Sequence, residues 1–239
     1  MAIINADDFG SSKDINDAIV YCFEQKLINQ TTILMNGECC QEAFLLSDKY
    51  GFRDSVGLHI NLVSGTPLTP EIKNTFLCTN GEFNGCLMKG QNRFYINKTV
   101  RRAIESEIEA QIVAYLDMGF CLIHIDSHRH SHTNLSVINT LLKVMKKYGF
   151  SSIRLTKNIP FVRRISLKSI YKMMLNKKLR GFNRKGRYND IAYFGSLDDY
   201  EKSLVDVDKV EIMVHPVIRE KVIIDNVSGS LLEERLSKI

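Results

Sequence analysis

Short apolar runs alternate with longer amphipathic stretches along most of the chain, and each pattern predicts a different element. The short runs predict strands at residues 2–6, 31–35, 55–61, 121–126, 152–155, 192–194 and 210–214. Apolar residues at helical spacing predict helices at residues 13–26, 41–50, 99–118, 134–148, 167–179, 197–205 and 230–238. Because strands and helices alternate, we expect parallel strands with helices packed outside them, as in an α/β barrel or a doubly wound sheet.

The alternation is interrupted at residues 63–97, where glycine and proline punctuate the sequence and no long apolar period survives. Long excursions of this kind in compact domains usually serve function. We find no internal repeat and no low-complexity linker. The sequence therefore predicts one domain over residues 1–239, with a long loop excursion at residues 63–97.

Composition is that of an ordinary globular protein, with 44% hydrophobic and 25% charged residues. We see no basic segment followed by an apolar leader and no apolar run long enough to span a bilayer, so we expect a cytoplasmic protein. The six cysteines show no CxxC spacing. We expect free thiols, with Cys121 in the core.

The net charge of +5 is unevenly distributed, because residues 157–187 contain many Lys and Arg residues and no acidic one. Three aromatic residues interleave with these cations, which would allow stacking on nucleic acid bases: Phe161, Tyr171 and Phe182. Apolar residues at helical spacing favour instead an amphipathic helix, packed on the barrel or on a partner chain, with a solvated basic face. Nucleic acid binding is therefore not expected.

Four of the six histidines lie at residues 124–132, beside Asp126. The other candidate groups follow or end other predicted strands: Asp7, Asp8, His59 and His215. The carboxyl ends of parallel strands are where α/β proteins build active sites. Because several strands deliver carboxylates and imidazoles to one edge, we expect a single site there.

A carboxylate and two imidazoles with an open coordination position are typical of a catalytic metal. Such an ion polarises a carbonyl and makes water more acidic. A second carboxylate would then act as general base and a histidine across the site as general acid.

Each residue also has a structural interpretation. Asp7 and Asp8 could be a turn and helix-capping pair, His59 a buried core histidine and His215 a surface residue at a strand end. Within the cluster, His124 is expected inside the strand, and two residues are expected to orient an imidazole: Asp126 and His130. Because the candidate carboxylates and histidines lie at the ends of predicted strands, we favour one shared active site over a separate structural role for each residue.

Four segments of the chain resemble the signatures of the YdjC-like (ChbG/HpnK) carbohydrate deacetylases, in the same order and with similar spacing over nearly the whole sequence. They are Asn5-Ala6-Asp7-Asp8-Phe9-Gly10, Gly57-Leu58-His59-Ile60-Asn61-Leu62, His124-Ile125-Asp126-Ser127-His128 and Met213-Val214-His215-Pro216.

The resemblance implies an α/β fold, a distorted (β/α) barrel of the glycoside hydrolase/deacetylase type with about seven mostly parallel strands. It also implies one divalent metal ion held by Asp8, His59 and His128, with Asp7 as the base that activates water and His215 as the acid that protonates the departing amine. The reaction would remove an N-acetyl group from an amino sugar or a short acetylated oligosaccharide, such as a chitooligosaccharide, and release acetate. Magnesium and a homodimer are further implications, although mixed oxygen and nitrogen ligands suit zinc, manganese, cobalt or iron better than magnesium.

Two other functions are alternatives to a deacetylase. A metal-dependent phosphoesterase could use the Asp and His groups with the basic segment binding phosphate, but no Gly-rich phosphate loop is present. A non-catalytic protein could use the basic segment to bind nucleic acid or another anion. Assays of phosphate release and of salt-dependent nucleic acid binding would distinguish these functions from a deacetylase.

Overall fold

A seven-stranded, all-parallel sheet forms the centre of the computed structural model, which describes residues 1–159, 166–183 and 186–239. The strands are β1 (Ile3–Phe9), β2 (Gln30–Ile33), β3 (Val56–Ile60), β6 (His124–Ser127), β7 (Ser152–Ile153), β8 (Tyr193–Ser196) and β9 (Val210–Val214). Their order across the sheet is β7-β6-β3-β2-β1-β9-β8. The sheet curls into a half-barrel with helices around it, which confirms the predicted fold class.

Alternate residues of these strands point to opposite faces of the sheet. One face carries the apolar set, including Ile4, Leu58 and Ile212, which are all buried in the core. The opposite face carries polar side chains that hydrogen-bond to one another across the strands, including Thr32 and Asp126. The concave interior of the half-barrel is therefore polar, and the apolar core lies between the sheet and the helices.

The helices follow the predicted order with small differences in length. They are α1 (Lys13–Glu24), α2 (Cys40–Lys49), α3 (Pro70–Lys73), α4 (Lys98–Asp117), α5 (Leu135–Lys147), α6 (Leu167–Phe182), α7 (Leu197–Glu201) and α8 (Glu233–Leu236). The predicted helices at residues 197–205 and 230–238 are thus shorter than expected. Among the described residues, none of the helices is both long and apolar enough to cross a membrane.

The predicted strand at residues 121–126 begins only at His124, because the chain bends before it. The His124 amide donates to the Leu122 carbonyl, and the Tyr115 hydroxyl donates to the same carbonyl. This turn places Cys121 at the surface, so the expectation that Cys121 lies in the core is wrong. All six cysteines are free thiols, as expected.

Two antiparallel hairpins were not expected from the sequence. One lies in the excursion at residues 63–97 and pairs β4 (Cys78–Thr79) with β5 (Glu82–Phe83). The other pairs β10 (Pro216–Arg219) with β11 (Val222–Asp225) directly after the last strand of the sheet. Its two-residue turn, Glu220-Lys221, has positive φ at both positions. Such turns usually contain Asn-Gly or Asp-Gly, so the customary hairpin signal is missing here.

Helix α6, which carries much of the basic segment, and the residue directly after it cover the edge strand β7 and the segment that follows this strand through two buried side-chain amides. Asn183 accepts from the Ile153 amide and donates to the Ile153 carbonyl, both at 2.8 Å. Asn176 makes the same pair of bonds to Thr156. An uncovered edge would leave backbone groups unpaired. Residues 160–165, 184 and 185, which complete the basic segment and include Phe161, lie outside the described residues.

Replacing Asn183 with alanine is expected to lower the free energy of unfolding by about 2 kcal/mol, because two buried backbone groups of Ile153 lose their partners. Urea unfolding of the variant measures this loss. The matched control is Asn189→Ala, since Asn189 is exposed and contacts only a neighbouring carboxylate in the described part of the chain; its effect should stay within about 0.5 kcal/mol. Equal stabilities of the two variants would contradict the role of Asn183.

Candidate active site

Asp7 and Asp8 lie near the end of β1, where the strand departs from regular pairing. Its register with β2 shifts between Ala6 and Phe9, and Asp8 has φ of 70°, in the left-handed region. Adjacent side chains of a regular strand point to opposite faces. The irregularity turns Asp8 so that both carboxylates reach one group of side chains at the carboxyl edge of the sheet.

Asp8, His59 and His128 bring three potential metal ligands together. Asp8 Oδ1 lies 3.2 Å from His59 Nε2 and 2.8 Å from His128 Nδ1. One ligand atom from each residue lies within 4.8 Å of the others. His59 is buried, whereas the side chains of His128 and Asp8 are 22% and 19% exposed, so one side of the set remains open to solvent.

A hydrogen bond to Asp126 orients the His59 ring. Its Nδ1 lies 2.6 Å from Asp126 Oδ1, and Thr32 Oγ1 donates to the other Asp126 oxygen. Asp126 therefore fixes the proton on Nδ1 and directs Nε2 towards Asp8, the arrangement typical of a metal-ligating histidine. Burial disfavours the charged ring, but Asp126 and Asp8 raise the pKa of His59 to about 10. These negative surroundings would equally favour a bound cation, so the residues fit a divalent metal.

Among the described residues, two other groups of potential ligand atoms lie deeper in the sheet, but the guanidinium of Arg154 already pairs with their carboxylates. They are Asp7 with His59 and Asp126, and His124 with Asp126 and Glu211. The fully buried Arg154 places Nη1 2.6 Å from Asp7, Nη2 2.7 Å from Asp126 and Nε 2.6 Å from Glu211. A guanidinium is always charged in proteins. The group formed by Asp8, His59 and His128 is therefore the best candidate for a metal ion.

Asp7 is held in its ionised form. Arg154 donates to both of its oxygens, at 2.6 and 2.8 Å, and Asn5 Nδ2 donates to Oδ1 at 2.8 Å. Burial alone would raise the pKa of Asp7, but Arg154 keeps it well below its usual range. The carboxylate thus stays unprotonated at neutral pH, as a proton acceptor must be.

His215 lies on the far side of Asp7, directly after β9. Its Nε2 is 4.0 Å from Asp7 Oδ2, and its Nδ1 is 3.9 Å from Asp225 Oδ2. Asp225 ends β11, and it also accepts a 2.8 Å hydrogen bond from the His215 amide. The unexpected hairpin thus returns a carboxylate to the imidazole, and His215, 20% exposed, remains open to solvent.

Of the four clustered histidines, the structure brings only His128 to Asp8 and His59. His124 begins β6 and stacks on Tyr188, with ring centroids 3.7 Å apart. His132 is buried between Ser127 Oγ and the Arg154 carbonyl. His130 packs edge-on against Phe194, and burial lowers its pKa to about 4. Asp126 orients an imidazole as expected, whereas no hydrogen bond from His130 to an imidazole is found among the described residues.

Three residues of the site were missed in the sequence: Arg154, Glu211 and Asp225. Two of them carried a signal, because Arg154 and Glu211 are charged residues inside short apolar runs predicted as strands. A charge at such a position is almost never buried unless it is paired. Asp225 carried no comparable signal, since its position depends on the hairpin turn at Glu220-Lys221.

The sequence matches the family described as YdjC-like protein over residues 1–235. A carbohydrate deacetylase of Halalkalibacterium halodurans is 30% identical over 99% of this chain and 92% of its own length. A carbohydrate deacetylase of Brevibacillus brevis is 28% identical over 93% of this chain and 83% of its own length.

The fold is also similar to the crystal structure of an Enterococcus faecalis V583 protein named for cellobiose-phosphate cleavage. Its TM-score is 0.67 at 20% identity, and the match covers 100% of this chain and 89% of that one. The family match spans all four motifs that form the site, from Asp7 and Asp8 to His215. The chain therefore belongs to the YdjC-like protein family.

Proposed function

We propose that this chain is a carbohydrate deacetylase, a hydrolase that cleaves the carbon–nitrogen bond of an N-acetylated amino sugar and releases acetate with the help of one divalent metal ion. The observation that carries the proposal is the position of an ionised carboxylate, Asp7, and a solvent-accessible imidazole, His215, beside the donor set of Asp8, His59 and His128. The names of the full-length relatives support it.

In the proposed reaction, one group of residues holds the metal ion and another transfers protons. A divalent ion held by Asp8, His59 and His128 would supply Lewis acidity, which polarises the acetyl carbonyl and makes water more acidic. Asp7 accepts the proton of the attacking water, since it is unprotonated and held by Arg154. His215 then donates a proton to the departing nitrogen as the carbon–nitrogen bond breaks, with the Asp225 carboxylate 3.9 Å from its other ring nitrogen. The products are acetate and the free amino sugar.

Two arguments about the identity of the ion lead to different metals. The family resemblance favours magnesium, whereas two imidazoles in a set of three protein ligands favour zinc or another first-row transition metal. Metal analysis of the freshly purified protein decides between them.

We infer that the substrate is a small acetylated amino sugar or chitooligosaccharide, and that residues 63–97 line its cleft. This excursion packs against the segment that follows His128, since Arg93 Nε donates to Asn134 Oδ1. It also exposes aromatic rings that could cover the apolar face of a sugar: Phe76, Phe94 and Tyr95. The single domain over residues 1–239, the homodimer and the cytoplasmic location stay predictions.

Acetate release from diacetylchitobiose and a panel of other acetylated sugars tests the proposal. The native protein should release acetate, and His128→Ala should lose nearly all activity together with the bound ion, because one of three protein ligands is gone. His130→Ala should keep the ion, since His130 lies outside the donor set. Full activity of His128→Ala would overturn the assignment, and phosphate release from generic esters without acetate release would indicate a phosphoesterase.

A further inference from the structure

The outer face of α6 exposes a stripe of large apolar side chains. Leu167 is 88% exposed, and Met173 and Met174 are 66% and 67% exposed. Together with Ile170 they recur three or four residues apart, so they line one side of the first two turns of the helix. The opposite side packs on the protein through the buried Leu175. Large apolar side chains gathered at a protein surface usually mark an interaction site.

The surroundings of this stripe are strongly basic. Four exposed cations of α6 form no ion pair in the described part of the chain: Lys168, Lys177, Lys178 and Arg180. In the neighbouring α5, by contrast, Lys143 and Lys147 pair with glutamates of α4. The sequence from Ser127 to Asn189 contains half of the 32 Lys and Arg residues and no acidic residue. The outer face of α6 is therefore apolar and positively charged at once.

Three kinds of partner differ in what they offer to such a face. Nucleic acid supplies phosphates, but its bases stack on aromatic rings, whereas this stripe is aliphatic and the nearby Tyr171 hydroxyl is bonded to the Thr133 carbonyl at 2.6 Å. A second copy of the same face would bring like charges together, because a two-fold interface pairs identical patches. An anionic lipid bilayer accepts both the apolar side chains and the cations.

We propose that the outer face of α6 docks the protein on the surface of an anionic lipid bilayer. The helix lies in the plane of the interface, and its apolar stripe enters the boundary between the headgroups and the acyl chains. The exposed cations, Lys177 and Lys178 among them, face the negatively charged headgroups. Binding therefore depends both on the apolar side chains and on the charge of the lipid.

The apolar stripe lies towards the end of the molecule that carries the active site. Helix α6 runs antiparallel to β7, since Asn183 bonds to Ile153 whereas the earlier Asn176 bonds to the later Thr156. The first two turns of the helix therefore extend past the carboxyl end of β7. Because the carboxyl ends of the parallel strands share one edge, the docking surface and the active site lie at the same end of the sheet.

Sedimentation of the whole protein with lipid vesicles tests the proposal, and it needs neither metal nor substrate, so its result is independent of the proposed deacetylase activity. The native protein should bind vesicles of phosphatidylcholine and phosphatidylglycerol, should bind pure phosphatidylcholine vesicles far less, and should be released by salt. Lys177→Gln combined with Lys178→Gln should lower the partition coefficient by about 10–30-fold. Met173→Ser combined with Met174→Ser should lower it by about tenfold or more.

The matched control changes an exposed cation and an exposed apolar residue elsewhere, after α7: Lys202→Gln combined with Leu204→Ser. This variant should bind anionic vesicles as the native protein does. Thermal unfolding of all three double variants should match that of the native protein, because every changed side chain is exposed. No binding to anionic vesicles, or equal losses in the control, would overturn the proposal. So would dimerisation or nucleic acid binding that the Met173 and Met174 changes abolish while vesicles stay unbound.

Discussion

Replacing Arg154 with methionine is expected to lower the free energy of unfolding by about 3–5 kcal/mol, a large part of the stability of an ordinary domain. Arg154 is fully buried and contacts the carboxylates of Asp7, Asp126 and Glu211. Methionine fills similar space but leaves those carboxylates in the interior without their cation. Urea unfolding at pH 7 measures the loss.

A surface arginine with several acidic partners provides the control for this prediction. Arg235 contacts Asp198 and Glu201, whose side chains are 43% and 42% exposed. Because exposed ion pairs contribute little, Arg235→Met should cost at most about 1 kcal/mol. Comparable losses in the two variants would show that Arg154 does not hold a buried cluster of carboxylates.

Replacing Asp7 with asparagine is expected to lower kcat for acetate release by about 10²–10⁴-fold, because the water loses its proton acceptor. The variant should still fold, since the asparagine oxygen can accept from Arg154 and the guanidinium keeps Asp126 and Glu211. It should also keep its metal ion, because Asp7 is not among the three proposed ligands. Steady-state kinetics and metal analysis of the same preparation check both statements.

Asp17→Asn is the matched control, as Asp17 is an exposed residue of α1 paired with Lys13. Its kcat should equal that of the native protein. If Asp7→Asn retained native kcat, another group would have to accept the proton. If it lost the metal ion instead, Asp7 would belong among the ligands.

Much of the sheet could be predicted from the sequence because its strands are short apolar runs separated by amphipathic helices. The same pattern located Asp8, His59 and His128 at strand ends, and parallel pairing then brings those ends to one edge. No pairing order had to be known for this, since every parallel strand delivers its carboxyl end to the same side of the sheet.

The details within that edge could not be predicted, because they depend on local backbone geometry and on contacts between distant segments. The left-handed conformation of Asp8 lets two adjacent carboxylates reach one site, although a regular strand would separate them. The Glu220-Lys221 turn has no hairpin signal, yet it brings Asp225 back to His215. Arg154 was visible as a charge in an apolar run, but its three partners come from three other strands.

The central claim is that Asp8, His59 and His128 hold one divalent ion without which the protein does not deacetylate. It is tested most directly by measuring bound metal and acetate release in parallel on protein treated with a chelator and then supplied with a single type of divalent ion. We predict no acetate release from the metal-free protein and full recovery at about one ion per chain. Native rates of acetate release from the metal-free protein would contradict the claim.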